Sequence, residues 1–476
     1  MIRKGVLHAV ALVVPLFAIG ALLTEVDNDP DPFAVHAVDQ TPLSRLPLRQ
    51  TEEQPATFPL RVSANRRYLQ DSAGQPFLIK GEAAWSLIAE LKRDDVELYL
   101  RDRRSRGFNT LLVSLIERRF ATNAPANAYG DLPFQAPGRF DRPNEAYFEF
   151  AEWVLRRAEA EGFLVLLTPC YTGSQGGNEG WYQEMVASGP ENLREYGRHV
   201  GARYRHLKNI IWVANGDFDA PNQDVVRAVV EGIREANPRA LFTSHNGNGT
   251  AAIDYWPGEK WVQLNNVYTW GPVYPPSKVQ YLRKPTLPYF LMEGQYENQP
   301  HISTQLLRSQ AYQALLTGAA GHVFGNSPIW YFSSPIGSAE YPAPPSWRAE
   351  LDGAGSRSMA RLHELFAALP WTRLEPDVSG ELLVDGRGDG LGSAVAALNR
   401  DRSMAIVYVP DDRRITLDMS RLAGTKVRAF WFDPAAGRTF PTMGSDLKTL
   451  GSETFRALKR NASGASDWVL ILQTDG

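Results

Sequence analysis

Two acidic side chains stand where acid–base chemistry would need them. Asp217 closes the run Ile210-Ile211-Trp212-Val213-Ala214-Asn215-Gly216, and Glu293 closes Tyr289-Phe290-Leu291-Met292. Each stretch is apolar until it delivers one carboxylate at its tip. Acetal hydrolysis needs such a pair. One carboxylic acid protonates the leaving oxygen, while the second carboxylate attacks or activates water across an oxocarbenium-like transition state. Other chemistries lack their parts here. There is no phosphate-cradling glycine loop and no histidine pair at metal-ligand spacing. Ser244 and His245 are adjacent, but no Gly-x-Ser-x-Gly elbow surrounds a serine. Cys170 is the only cysteine, so neither an internal disulfide nor a cysteine-rich metal site can form. No metal and no cofactor are expected. A formal net charge of −3 offers no basic field to a nucleic acid.

The elements that must position the two acids follow an alternating rhythm from Leu60 onward. A small hairpin precedes a first strand over Phe77–Lys80. Further apolar strands are expected at Thr110–Ile116, Phe163–Thr168, Ile210–Ala214, Leu241–Ser244, Val262–Val267, Tyr289–Met292 and His322–Phe324. Helices are expected from Asp94, with Glu97 at capping-box spacing, and over Asn144–Glu161, Glu191–His206, Gln223–Ala236, Ser303–Leu316 and Ser356–Leu369. Strands apolar throughout are those covered on both faces. Eight of them, separated mostly by helices, predict an α/β chain built as a (β/α)8 TIM barrel over residues 59–371.

In such a barrel the site lies at the C-terminal ends of the strands. The residues there are Glu82 and Trp85 after the first strand, Glu117 after the second and Tyr171 after the third. Asn215 and Asp217 follow the fourth, and His245 and Asn246 the fifth. Tyr268 and Trp270 follow the sixth, Glu293, Gln295 and Tyr296 the seventh, and Asn326 and Trp330 the eighth. Asp217 and Glu293, on strands four and seven of a closed ring, can face each other across its mouth. Glu82 is a candidate to bond a sugar hydroxyl, and His245 and Tyr268 to orient the nucleophile or bind substrate. Tyr296 is a candidate to hydrogen-bond Glu293. Trp85, Trp270 and Trp330 are candidate platforms for the flat C–H faces of sugars. Glu117, Tyr171, Asn215, Asn246, Gln295 and Asn326 complete the expected substrate-binding set.

Four stretches carry a family likeness: Gly74-Gln75-Pro76-Phe77 through Gly81-Glu82-Ala83-Ala84-Trp85, Lys208 through Gly216-Asp217, Glu293 with Tyr296-Glu297, and Thr317-Gly318-Ala319-Ala320-Gly321-His322 through Ile329-Trp330. The chain resembles the apiosidase-like barrel family, typified by glycoside hydrolase family 140. The resemblance implies a retaining glycosidase with Asp217 as general acid/base and Glu293 as nucleophile. Glu82-Ala83-Ala84-Trp85 stands where that family has Asp-Thr-Ala-Trp, and Asn266–Tyr274 differs too, so the likeness carries the chemistry and not the sugar.

After Pro370 short strand-like runs replace the helices: Leu382–Val384, Ser393–Leu398, Ala405–Tyr408, Ile415–Leu417, Val427–Phe432 and Trp468–Leu472. A small antiparallel β-sandwich is expected over 372–476. Phe430-Trp431-Phe432-Asp433-Pro434 with Gly437 resembles the family's collagen-binding-type C-terminal domain. At the other end, Arg3 and Lys4 precede an apolar run from Gly5 to Leu23. This reads as an export signal over 1–23, cleaved or kept as a single membrane tether, ahead of a disordered linker over 24–58. The expectation is therefore an exported glycosidase, periplasmic, extracellular or tethered, whose partner is an oligo- or polysaccharide. A non-catalytic carbohydrate- or matrix-binding protein on the same scaffold is the alternative.

Overall fold

Strand alternation explains the architecture. In the computed structural model, which describes residues 41–42 by their backbone and residues 55–332, 346–442 and 447–475, eight parallel strands form one sheet. They are β1 (Ile79–Ala83), β2 (Thr110–Ser114), β3 (Leu164–Thr168), β4 (Ile210–Asn215), β5 (Leu241–His245), β6 (Asn265–Tyr268), β7 (Tyr289–Glu293) and β8 (Gly321–Asn326). Their order is β6-β7-β8-β1-β2-β3-β4-β5, and a parallel bridge from Phe242 to Val262 joins the two ends. The sixth strand starts later than its sequence suggests, because Val262 makes only that bridge. Successive side chains point to opposite faces. Ile79, Leu112, Leu164, Leu166, Ile211, Val213, Phe290 and Met292 fill the interior, and Leu60, Leu69 and Phe77 from the leading hairpin plug its foot. Leu111, Val113, Val165, Leu167, Trp212 and Phe242 face outward beneath the helices.

The helices mostly fall where expected, and their departures have local causes. Gln223–Ala236 is capped by Asn222, whose side chain accepts from Asp224 N–H at 3.2 Å. Thr304–Leu316 is capped by Ser303 in the same way. Asp94 and Glu97 form no capping box. That helix runs Arg93–Ser105 behind Lys92, and Glu97 instead pairs with Arg157 at 3.1 Å. The helix expected from Glu191 runs Tyr182–Tyr204, with a break at Gly189 (φ 78°) before Pro190. Tyr274–Leu282 is a helix that Pro275-Pro276 disguises, since proline is tolerated in a first turn.

The C-terminal strands form two antiparallel sheets. The larger contains Leu374–Pro376, Val395–Asn399, Met404–Val409, Trp468–Thr474, Lys426–Asp433 and Arg438–Pro441. The smaller contains Leu383–Asp385, Arg414–Asp418 and Ser452–Arg456. Val407, Leu417, Trp431 and Leu470 pack between them. The outer face of the larger sheet lies on the barrel: Ile406, Tyr408, Val469 and Ile471 share a core with Leu315, Leu362 and Phe366. Tyr312 stacks on Tyr408 with ring centroids 4.7 Å apart. Gln40–Gly476 is accordingly one compact unit.

The expected leader over 1–23 lies outside the described residues, as does most of the expected linker. Where the linker is described, it is structured. Thr41–Pro42 pairs with the edge strand Arg438–Pro441, and Ala56 and Phe58 pack against the foot of the barrel. An open sheet edge offers unpaired backbone groups to any extended segment, which accounts for that pairing. Among the described residues, no helix is long and apolar enough to cross a membrane.

Candidate active site

Regular alternation alone does not aim the two acids. Phe290 and Met292 point inward, so an undisturbed strand would send Glu293 outward. The β6–β7 register shifts instead: Val267 faces Leu291, but Tyr268 faces Glu293. This bulge re-aims Glu293 into the mouth. On β4 the chain turns sharply, with Asn215 at φ 68° and Asp217 at φ 57°. Left-handed backbone at a non-glycine residue costs about 1–3 kcal/mol and persists only where surroundings enforce it. Here Asp217 N–H donates to His245 Nδ1 at 2.7 Å, and Thr172 Oγ1 donates to the Gly216 carbonyl at 2.7 Å.

Gly216 leaves no room for a side chain, because a Cβ there would stand 2.3 Å from Tyr171 Cδ2. Gly216→Ala is expected to push that ring away from Asp217 and lower kcat/KM about tenfold to a hundredfold. Steady-state kinetics beside a thermal melt would check this, since the loss should exceed any shortfall in folded protein.

His245 joins the two acids. Its Nδ1 accepts the Asp217 amide proton, so the ring carries its own proton on Nε2, which meets Glu293 Oε2 at 2.5 Å. Burial disfavours a charged imidazole, but Glu293 outweighs it and the His245 pKa moves up. Tyr296 hydrogen-bonds Glu293 and accepts from Trp85 Nε1 at 3.3 Å. Tyr268 Oη donates to Asp217 Oδ1 at 2.7 Å, and Tyr171 Oη to Oδ2 at 3.4 Å. Burial, reinforced by the charge of Glu293, pushes the Asp217 carboxyl up to about 6.

Both acids open on a cleft of about 500 Å³. Of the residues anticipated from sequence, Trp85, Glu117, Tyr171, His245, Trp270, Tyr296 and Trp330 line it. Trp270 is 54% exposed, leaving its ring free for a ligand. Glu117 is nearly all buried, and its Oε1 accepts from the amides of Arg118, Arg119 and Phe120, so it shapes the rim loop. Tyr268 reaches the site through Asp217 rather than through the cleft wall.

The remaining candidates lie elsewhere. Glu82, on the outward face of β1, is fully buried and bonded to Tyr99 Oη at 2.6 Å and Arg103 Nη1 at 2.9 Å. Asn326 faces outward from β8 and donates to Glu297 and Glu350. Asn215 is buried against Thr172, Asn246 bonds Asp219, and Gln295 holds the Trp270 carbonyl at 2.6 Å. Sequence reasoning missed Arg119, Phe120, Ser174, Glu179 and Gln299, which also line the cleft. They sit on loops without periodicity; only the acid-to-amide capping by Glu117 hints that its loop is fixed. Among the described residues, no group of three or more His, Cys, Asp or Glu side chains is placed to hold a metal ion.

Residues 63–373 match the family model described as "Apiosidase-like, catalytic domain". The chain belongs to the apiosidase-like family. Behind this apiosidase-like barrel, residues 376–473 match the model described as "Putative collagen-binding domain of a collagenase". Among solved structures, a chain named "Glycoside hydrolase" is similar with a TM-score of 0.76 at 22% identity, over 88% of this chain and 99% of that one. A glycoside hydrolase family 5 protein from Bacteroides vulgatus ATCC 8482 gives the same TM-score and identity over 88% of this chain and 95% of its own. At that identity these likenesses show the fold. No curated relative matches by sequence. The apiosidase-like chain is a TIM-barrel glycoside hydrolase with an appended all-β domain.

Proposed function

We propose that this glycoside hydrolase cleaves glycosidic bonds of a plant or microbial oligo- or polysaccharide with retention, Asp217 acting as general acid/base and Glu293 as nucleophile. The observation that carries the reading is the His245 bridge. One imidazole fixes the Asp217 backbone through Nδ1 and donates its only proton to Glu293 through Nε2. Glu293 thus meets donors from His245 and Tyr296, which suit an anion ready to attack the anomeric carbon. Asp217, raised to about 6, holds a proton for the leaving oxygen in mildly acidic solution.

The same electrostatics serve the second step. Once Glu293 is esterified its charge is gone, and so is its upward push on Asp217. The Asp217 pKa then falls, and the group becomes the base that takes a proton from water. Product forms as water replaces the Glu293 ester.

The acid role fixes the sign of the pH dependence. Activity needs protonated Asp217, so kcat/KM should fall about tenfold per pH unit above about 6. Tyr268→Phe removes a donor that favours the Asp217 anion, so that limb should move to higher pH. A kcat/KM–pH profile for both proteins checks it; a limb that stays put would remove Tyr268 from this role. The proposal as a whole is tested with aryl glycosides and plant polysaccharides offered to wild type and Asp217→Asn. Turnover by wild type alone supports it, and equal turnover by both overturns it.

The charged start and apolar run up to Leu23 support export, and the collagen-binding-type match supports contact with an extracellular polymer. Amino-terminal sequencing of the mature protein from fractionated cells would test the first point. An intact Met1 in the cytoplasmic fraction would contradict it.

A further inference from the structure

The foot of the barrel, at the end away from Asp217 and Glu293, carries a groove of about 540 Å³. It lies between the start of β1, the end of the helix Arg93–Ser105 and the helix Ala354–Ala368. Five cations, Lys80, Arg104, Arg106, Arg357 and Arg361, line it against two carboxylates, Asp352 and Glu364. The chain as a whole is acidic at −3, so this excess of positive charge is local. The carboxylates do not use it up. Arg361 pairs with Glu364 at 2.8 Å, Asp352 serves both Arg106 at 2.7 Å and Arg357 at 3.0 Å, and Asp102 also meets Arg106 at 3.0 Å. Among the described residues Arg104 has no carboxylate partner.

The floor of the groove is neutral. His363 lines it and is only 2% exposed. Burial, with His322 and Lys80 adding to it, holds its pKa well below the usual value, so the ring adds no charge of its own. Arginine forks above such a floor match planar or tetrahedral oxyanions.

We propose that this groove is a second, non-catalytic site that binds the anionic groups of an acidic polysaccharide, uronate carboxylates or sulfate esters. Holding a charged polymer at the foot of the barrel raises the concentration of its chain near the mouth. The choice of polysaccharide rests on the glycosidase reading; the anion site itself does not.

Native gels cast with polygalacturonate, dextran sulfate or a neutral β-glucan would test it, using the full chain. The expected result is retardation by polygalacturonate, dextran sulfate or both, none by the glucan, and relief of retardation by added salt. Which anionic polymer retards the protein assigns carboxylate or sulfate. The surface double variant Arg104→Ser with Arg361→Ser should weaken retardation at least threefold at an unchanged melting temperature. Arg119→Ala, in the cleft, should leave it intact, and so should Asp217→Asn, which separates failure of this site from failure of the catalytic reading. No retardation, equal retardation by the glucan, an unaffected double variant, or loss in Arg119→Ala instead would overturn it.

Discussion

Replacing Glu293 by Gln is expected to lower kcat by about 10⁴-fold or more while leaving the protein folded. The amide keeps the shape of the side chain and its place beside His245, but it cannot form the glycosyl ester. Asp217→Ala should behave differently. Its loss is expected to be about 10²–10⁴-fold, largest for substrates whose leaving group needs a proton and smallest for activated aryl glycosides. Added azide should rescue Asp217→Ala, because a small anion can enter the vacated space and attack the Glu293 ester without base assistance. It should not rescue Glu293→Gln, where no ester forms. Rescue of both, or of neither with full activity in Glu293→Gln, would mean that the roles are misassigned.

The second large effect lies far from the cleft. Arg308→Ala is expected to destabilise the fold by about 3–5 kcal/mol, since breaking a buried ion pair strands the remaining charge. Arg308 projects from the barrel helix Thr304–Leu316 and meets Asp467 through Nε and Nη2, each at 2.7 Å, with both side chains inaccessible to solvent. Asp467 also accepts from Tyr408 Oη at 3.0 Å and Asn461 Nδ2 at 2.8 Å. The pair joins the barrel to the larger C-terminal sheet at the face where Tyr312 stacks on Tyr408. Thermal melts should show a drop on the order of 10 °C. Arg308→Leu with Asp467→Leu should recover much of it, because no lone charge stays buried. A loss of the same size in the double variant would show that the ion pair itself, rather than the stranded charge, carries the stability.

That interface also explains why the domain boundary was legible and its meaning was not. The change from helical to short strand-like runs after Pro370 marks where the barrel ends. Nothing in the spacing of Ile406, Tyr408, Val469 and Ile471 says that one face of their sheet lies against barrel helices, because both faces of those strands are apolar. Ser452–Arg456 was missed for the opposite reason: it is an edge strand with mostly exposed polar residues, and exposure erases alternation.

The barrel itself was readable because strands buried on both faces are continuous apolar runs. The acids were readable as the first polar residues to end them. Which acids face the cleft was harder. Glu82 and Glu293 both follow apolar strands, yet Glu82 shares the outward face with Lys80, opposite Ile79 and Ala83, and alternation alone predicts its pairing with the helix layer. Glu293 breaks that rule through a bulge, a register event set by its neighbour strand that its own sequence does not record. Asp217 depends on a left-handed turn at Asn215, which the Asn-Gly pair hints at and the contact with His245 enforces. The other cleft-lining residues, Arg119, Phe120 and Glu179, sit on irregular loops, where side-chain direction follows from tertiary contacts.

Trapping the covalent intermediate would show which carboxylate attacks the sugar. A 2-deoxy-2-fluoro glycoside of the sugar found active in the aryl-glycoside panel would be incubated with wild-type protein, which would then be digested and its peptides mapped by mass. One glycosyl adduct on the peptide bearing Glu293, absent from Glu293→Gln, is the expected result. An adduct on any other carboxylate, or no adduct together with a product of inverted anomeric configuration, would contradict it.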